Sequence, residues 1–320
     1  MAKRKILILG ASGFIGRNLF KSLSLNPDLE VWGTYHNNRF IDSPNLIRAD
    51  LNKEGVAMKI TQNMDVVVHA AAYTTGAKEV KGSPELHVYP NNVMHPHLLD
   101  ALHKNSIPHC IFLSCSVMYP PGKTPRKETG VDLNRIHPTY FGAAWMKVST
   151  EKFCEFYSRL GRTKFTVIRH SNIYGPHDKF DLERSHVCGA TITKVLTNTD
   201  GNITVWGDGS EERDLLYISD LVNFIDRLVV NGVTVPFDIV NVGLGKTIPV
   251  AGLVQKVIEL SGKNIEIKFN TEKPTIPITI ALDISKADSV YNWRPQVSLD
   301  EGLAKTIAWY KKNINPLLPH

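Results

Sequence analysis

The chain opens with an apolar run, Ile6-Leu-Ile-Leu9, that stops at Gly10. A run without polar alternation predicts a strand buried on both faces, as in a parallel sheet covered by helices. Behind the turn, Ile15, Leu19 and Leu23 recur at helical spacing and predict a helix from Phe14 to about Ser24. Further strands are predicted at Glu30–Thr34, Ile47–Leu51, Asp65–His69, Cys110–Leu113 and Phe165–Arg169. Helices are predicted around Asn92–Lys104 and from the Pro138–Lys147 segment to about Leu160. Between them, residues Pro121 to Pro138 read as a Pro/Gly/Lys/Thr-rich loop, long enough for a lid or substrate loop. Beyond residue 175 the alternation loosens, with helices at Val187–Leu196, Val250–Leu260 and Leu299–Asn313 and strands at Ile203–Trp206, Asp238–Val242 and Ile265–Phe269. The pattern predicts an α/β fold, a Rossmann-type doubly wound parallel sheet with a smaller α/β C-terminal substrate lobe. The division falls at 1–174 and 175–320, with some later segments returning to the first domain.

Composition narrows the picture. A 320-residue chain can bury a large core. The net charge of +6 is spread along the chain rather than gathered into a stripe, which argues against nucleic acid. Cys110, Cys115, Cys154 and Cys188 lack metal-ligand spacing and read as reduced thiols, with no metal expected. With no signal peptide and no apolar run of spanning length, a soluble cytoplasmic protein without membrane contact is expected.

The first turn carries the first chemistry. In Gly10-Ala-Ser12-Gly13-Phe14-Ile15-Gly16, one glycine makes the turn, one admits a pyrophosphate to the backbone and one lets helix and strand pack closely. Its place between a strand and a helix predicts dinucleotide binding. At the end of the second strand no acid stands between Val31 and Phe40, where one would hold a ribose 2′-hydroxyl. Arg39, with His36 or Asn37, suits a 2′-phosphate instead, so NADP(H) is expected, with NAD(H) the alternative. Asp50, followed by Leu51, could meet the adenine edge, and Ala70, Ala71 and Ala72 would let a cofactor lie against the backbone.

Four strings carry a resemblance: Asn172-Ile-Tyr-Gly-Pro-His-Asp178-Lys-Phe180, Ser185-His186-Val187, Val205-Trp206-Gly207 through Arg213, and Asn241-Val-Gly243. Over nearly its whole length the chain resembles the extended short-chain dehydrogenase/reductases that act on nucleotide sugars, in particular GDP-fucose synthases. That resemblance implies hydride transfer between the nicotinamide and C4 of a nucleotide-linked, GDP-type deoxyhexose or heptose. It implies a cofactor site that includes Asn91, Lys147, Asn172 and Ile173. It implies a substrate site of Ser116, Asn172, His186, Val187, Lys194, Val205, Trp206 and Arg213. A homodimer is implied too, through the helix that ends in Phe153, Phe156, Tyr157 and Leu160.

Three departures qualify it. The family's phenol stands four residues before the lysine, so that acid and ammonium share one helix face. Lys147 is present, but Ala143 occupies the phenol's position. Loss of a general acid costs about 10²–10⁴-fold in rate, so this copy is expected to be disabled there. A naturally inactive or rewired chain and an introduced replacement of the tyrosine both remain open, and the intact surroundings favour the replacement. Tyr140 lies seven residues from Lys147, too far along the helix to take over simply. Second, the family's Ser/Thr falls on Cys115, beside Ser116, and Ser116 can do the bonding instead. Third, Val117 stands where GDP-fucose synthases carry a proton-shuttling cysteine, which leaves His186 without its partner and predicts C4 oxidoreduction without 3,5-epimerisation. A further basic residue is missing from Pro277-Ile-Thr279-Ile280. The alternatives are an NAD-dependent nucleotide-sugar 4-dehydrogenase or epimerase, and a cofactor-binding protein without catalysis.

Overall fold

Strand and helix alternate along the chain in the computed structural model, which describes residues 2–74, 82–182, 185–273, 275 and 278–315. The first half runs β1 (Arg4–Leu9), α1 (Phe14–Leu23), β2 (Leu29–Tyr35), β3 (Leu46–Arg48), α2 (Val56–Ile60), β4 (Val66–His69) and α3 (Glu85–Lys104). It continues with β5 (His109–Cys115), β6 (Gly122–Arg126), α4 (Phe141–Arg159), β7 (Lys164–His170) and β8 (Asn172–Tyr174). The second half runs α5 (Val187–Leu196), β9 (Asn202–Trp206), β10 (Glu212–Tyr217), α6 (Ile218–Asn231), β11 (Phe237–Val242) and β12 (Thr247–Pro249). After α7 (Val250–Ser261) come β13 (Glu266–Asn270), β14 (Ile280–Leu282), α8 (Ser285–Tyr291) and α9 (Leu299–Asn313).

Seven strands form one sheet in the order β11-β7-β5-β4-β1-β2-β3, and every neighbouring pair is parallel. The order reverses direction between β1 and β4, and a crevice opens at such a switch point beyond the strands' C-terminal ends. β1 shows why its sequence is apolar throughout. Ile6 and Ile8 enter one core cluster and Leu7 and Leu9 the other, all four with no exposed surface. Burying each side chain contributes about 1.5–3 kcal/mol before the cost of ordering it.

β11 lies at the edge of this sheet, so residues beyond 175 contribute to it. A separate three-stranded sheet, β12-β10-β8, is fastened to the loops around it by the buried Asp214. That carboxylate accepts from the backbone N–H of Leu244 (2.8 Å), Gly245 (3.2 Å) and Leu282 (3.2 Å). No helix among the described residues is long and apolar enough to cross a membrane.

Two expectations change. The stretch 121–138 is not an irregular loop. It holds β6, which pairs in parallel with β14, and three short 3-10 turns at Glu128–Gly130, Leu133–Arg135 and Pro138–Tyr140. The second concerns α3, which starts at Glu85 rather than near Asn92, with Pro90 and Pro96 inside it. Each proline removes one helical N–H, and beside the first of them the side chain of Asn91 donates to the His87 carbonyl at 2.6 Å. Asn91 also exchanges hydrogen bonds with the backbone of Tyr73, just beyond Ala70–Ala72.

Candidate active site

The dinucleotide turn is built by close approach of backbone. Gly10 adopts φ +79°, donates its N–H to Thr34 Oγ1 at 2.9 Å, and would place a Cβ 2.7 Å from Ala71 Cα. A Cβ on Gly16 would sit 2.1 Å from the Gly10 carbonyl oxygen. Gly13 starts α1 without any side-chain cap, which leaves the helix's first N–H groups to an anion. The turn therefore fits a pyrophosphate. Ser12, Phe14 and Ile15 line it, half-buried, and Ala70 and Ala71 face it across the switch point, with Ala72 exposed beyond.

The adenosine end is looser. His36, Asn37 and Arg39 are all exposed, and the Arg39 guanidinium holds Asp42 (2.9 Å) and the Ser43 carbonyl (2.8 Å). Asp42 is the acid that a search ending at Phe40 does not meet. Asp50 lies 3.9 Å from His36 and accepts from the Asn52 N–H, while the Leu51 side chain is buried. Arg17 stacks over Phe40 at 4.9 Å and reaches His177 at 3.5 Å, tying two loops to α1.

The end expected to hold the reacting atoms comprises the turn after β5, the start of α4 and the end of β7. Lys147 is buried, donates to the Leu113 carbonyl at 2.9 Å, and sits 4.8 Å over the Phe112 ring. Burial pulls its ammonium below the usual lysine range, and Cys115 and Glu151 pull it back up. One turn before it stands Ala143, half-buried, a methyl where the resemblance leads one to expect a phenol. Burial pushes the Cys115 thiol up, so that it stays a neutral donor. Beneath this turn lies a buried network. Ser114 donates to Glu151 (2.5 Å), Arg169 pairs with Glu151 (2.5 Å) and donates to the Tyr119 hydroxyl (2.9 Å), and Tyr119 donates to Asn241 (2.7 Å). Arg169 also donates to the Glu128 carbonyl at 2.7 Å, which joins the 121–138 segment to the turn.

On the substrate side, Trp206 is 52% exposed, too open for a core aromatic, and the Lys194 ammonium lies 5.9 Å over its ring. Arg213 donates to the carbonyls of Ile278 (2.6 Å) and Glu212 (2.9 Å), which fix its guanidinium. Asn172 donates to the Asp214 carbonyl at 3.2 Å. Val205 and Ile173 point their side chains into the core, so only their backbones can meet a ligand. His186 stands at the N-cap of α5, open to solvent yet walled by protein; that crowding, with Lys179, pulls its imidazole down. Val187 follows, half-buried. Pro277 lies outside the described residues.

Several residues join this site unannounced by any motif. His170, at the end of β7, has its Nδ1 2.8 Å from the Ser171 carbonyl; burial first, then Lys147 and His186, pull it down to about 4. His69 and His95 meet edge to face at 5.3 Å, and neither ring nitrogen of the buried His69 has a hydrogen-bond partner among the described residues. Burial, then Lys147, pulls His69 down to about 3. Burial pushes the Tyr140 phenol up, while Arg213 draws it down and Cys115 adds to the rise.

Known proteins share this architecture. The GDP-L-fucose synthase of Escherichia coli is 26% identical, covering 98% of each chain. The GDP-L-colitose synthase of Yersinia pseudotuberculosis is 27% identical over 97% of this chain and 99% of its own. The crystal structure of UDP-glucose 4-epimerase with UDP-glucose from Thermotoga maritima superposes with a TM-score of 0.84 at 25% identity, covering 97% of this chain and 99% of that one. Residues 6–243 match a single family description. On that match, the chain belongs to the NAD dependent epimerase/dehydratase family.

Proposed function

We propose that the protein is a nucleotide-sugar oxidoreductase that transfers hydride between NADP(H) and C4 of a GDP-linked 4-keto deoxyhexose or heptose. What supports this reading is one combination: the glycine cradle at the switch point, Lys147 held on the strand that leads to Cys115 and Ser116, and an exposed Trp206 with Lys194 over its ring. The GDP base is favoured by the two GDP-sugar synthases the chain resembles.

When bound, the nicotinamide supplies or accepts the hydride. The chain's own residues do the rest. Gly10–Gly16 and the start of α1 hold the pyrophosphate, with Asn91 holding the backbone beyond Ala70–Ala72 in place. Arg39 exchanges Asp42 for the 2′-phosphate, a geometry suited to guanidinium. Lys147 orients the nicotinamide ribose, Ser116 and Cys115 steady the sugar's O4, and Trp206 stacks on the base above Lys194. Arg213 neutralises the diphosphate. Val117, packed beside a small apolar cluster, has no proton to move, so epimerisation at C3 and C5 is absent.

Ala143 breaks the ordinary proton route, and a cofactor-binding protein without catalysis is the reading that this residue favours. The two part experimentally. In NADPH oxidation with a GDP-4-keto-6-deoxyhexose, Ala143→Tyr is expected to raise turnover at least tenfold over the parent chain. No turnover in either chain with any 4-keto sugar nucleotide would overturn the oxidoreductase reading. The exposed aromatics of α4, Phe153 and Phe156, with Leu160 just beyond its end and Leu86 and Tyr89 on neighbouring α3, support a homodimer through these two helices.

A further inference from the structure

We propose that Lys179 closes the dinucleotide site from the substrate-lobe side, as the cation that meets the cofactor's pyrophosphate opposite the start of α1. The inference rests on the oxidoreductase reading above. It adds one side chain to a site otherwise built from backbone.

The crevice opens between β1 and β4, and the stretch 175–180, which follows β8, is tied to both of its walls. On the α1 wall, the Asn18 side chain donates to the Pro176 carbonyl at 2.9 Å, and Arg17 reaches His177 Nδ1 at 3.5 Å. His177 sits in the left-handed region at φ +71°, with Trp309 of α9 against its ring at 4.8 Å. A residue with a Cβ keeps that conformation only where its surroundings fix it. On the β4 wall, the Lys179 ammonium donates to Thr74 Oγ1 at 3.0 Å and to the Thr74 carbonyl at 3.4 Å. The strap and the glycine turn share this wall. Ala71 Cα lies 2.7 Å from the place a Gly10 Cβ would take, and Thr74 stands three residues further on. Three residues span at most about 11 Å, so the ammonium, on its flexible stem, is within reach of what occupies the cradle.

The charge is available. Among the described residues the ammonium has only Thr74 as a hydrogen-bond partner, and Thr74 is neutral. The adjacent Asp178 is buried and accepts from the Lys179 backbone N–H at 2.7 Å. Other cations stand elsewhere, Arg39 beside Asp42 at the adenosine end and Lys194 over Trp206. A hydrogen bond between ammonium and phosphate is roughly twice as strong as a neutral one, so Lys179 leaves Thr74 for a phosphate oxygen. The pyrophosphate is then met by N–H groups of α1 on one side and by a full charge on the other.

The test measures dissociation constants for the parent chain, Lys179→Gln and Lys179→Arg. NADPH and NADH are titrated by fluorescence. GDP and 2′-AMP, which lacks the pyrophosphate, are titrated by calorimetry. Lys179→Gln is expected to weaken NADPH and NADH alike by about tenfold, the scale of one charge-assisted contact. Binding of 2′-AMP and GDP should stay within twofold, and Lys179→Arg should keep most of the dinucleotide affinity. The loss should also shrink as salt is raised, which a packing role would not show. Unchanged NADPH and NADH binding in Lys179→Gln overturns the inference and leaves the oxidoreductase reading standing. A loss confined to GDP also overturns it, since the ammonium would then serve the substrate's diphosphate. So does an equal loss of 2′-AMP, which would make the strap a support for the whole site. A parent chain that binds neither dinucleotide removes the oxidoreductase reading and the inference together.

Discussion

The two ends of the cleft are built from different materials. At the dinucleotide end the work is done by backbone, through glycines with no room for a Cβ and a helix start without a side-chain cap. At the reacting end it is done by side chains on separate elements, held over the buried Glu151–Arg169 network. A backbone site is fixed by local geometry and is hard to alter without breaking the turn. A side-chain site can lose or move one member while its frame stands, and in the proposed reading Ala143 is that case.

Breaking the frame under the reacting end should have the largest effect. Glu151→Gln leaves Arg169 buried without its counter-charge, and the loss should be about 3–5 kcal/mol, read as a lower urea midpoint. If the midpoint does not move, the network is not what holds the turn after β5. At the other end, Gly16→Ala drives a Cβ onto the Gly10 carbonyl, costing about 1–3 kcal/mol of strain and weakening NADPH about 100-fold. Normal NADPH binding by the Gly16→Ala variant would show that the cradle does not hold the pyrophosphate.

What could be read in advance follows the same division. The glycine turn, the buried runs of β1 and β4 and the helices 187–196 and 299–313 are local features, and sequence shows local features. β6 was hidden because Gly-Lys-Thr-Pro-Arg has no strand pattern and its partner β14 lies far along the chain. The inward face of Val205 could have been found, since Trp206 beside it must then point out. The pairing of His69 with His95 and the approach of His170 to Lys147 arise only when distant elements pack. No spacing along the chain announces them.

A smaller effect sharpens the comparison at the adenosine rim. Arg39→Ala should weaken NADPH about tenfold, the scale of one charge-assisted contact, and leave NADH unchanged. Equal losses for both cofactors would mean that Arg39 only braces its loop through Asp42. The smallest effect is graded and concerns pH. His69 is held down to about 3 and His109, His170 and His177 to about 4, all chiefly by burial. Below about 6.5 the unfolded chain takes up protons that these folded imidazoles refuse, so stability falls as pH falls from about 6.5 toward 4. Burial raises Asp178 to about 7 and Asp214 to about 6, which favours the fold as pH falls through the same window. The four imidazoles outnumber these two carboxyls, so the net slope should be positive between about pH 4 and 6.5 in denaturant melts. A flat or negative slope there would mean that the histidines are not held neutral.

The central claim is that the cofactor end is complete while the reacting end lacks the phenol that the resemblance leads one to expect. Fluorescence titration of NADPH into the parent chain and into Ala143→Tyr tests it most directly. The account predicts tight binding with dissociation constants within twofold of each other, alongside turnover that differs at least tenfold. Weak binding in both chains, or binding that appears only when the phenol is restored, would contradict it.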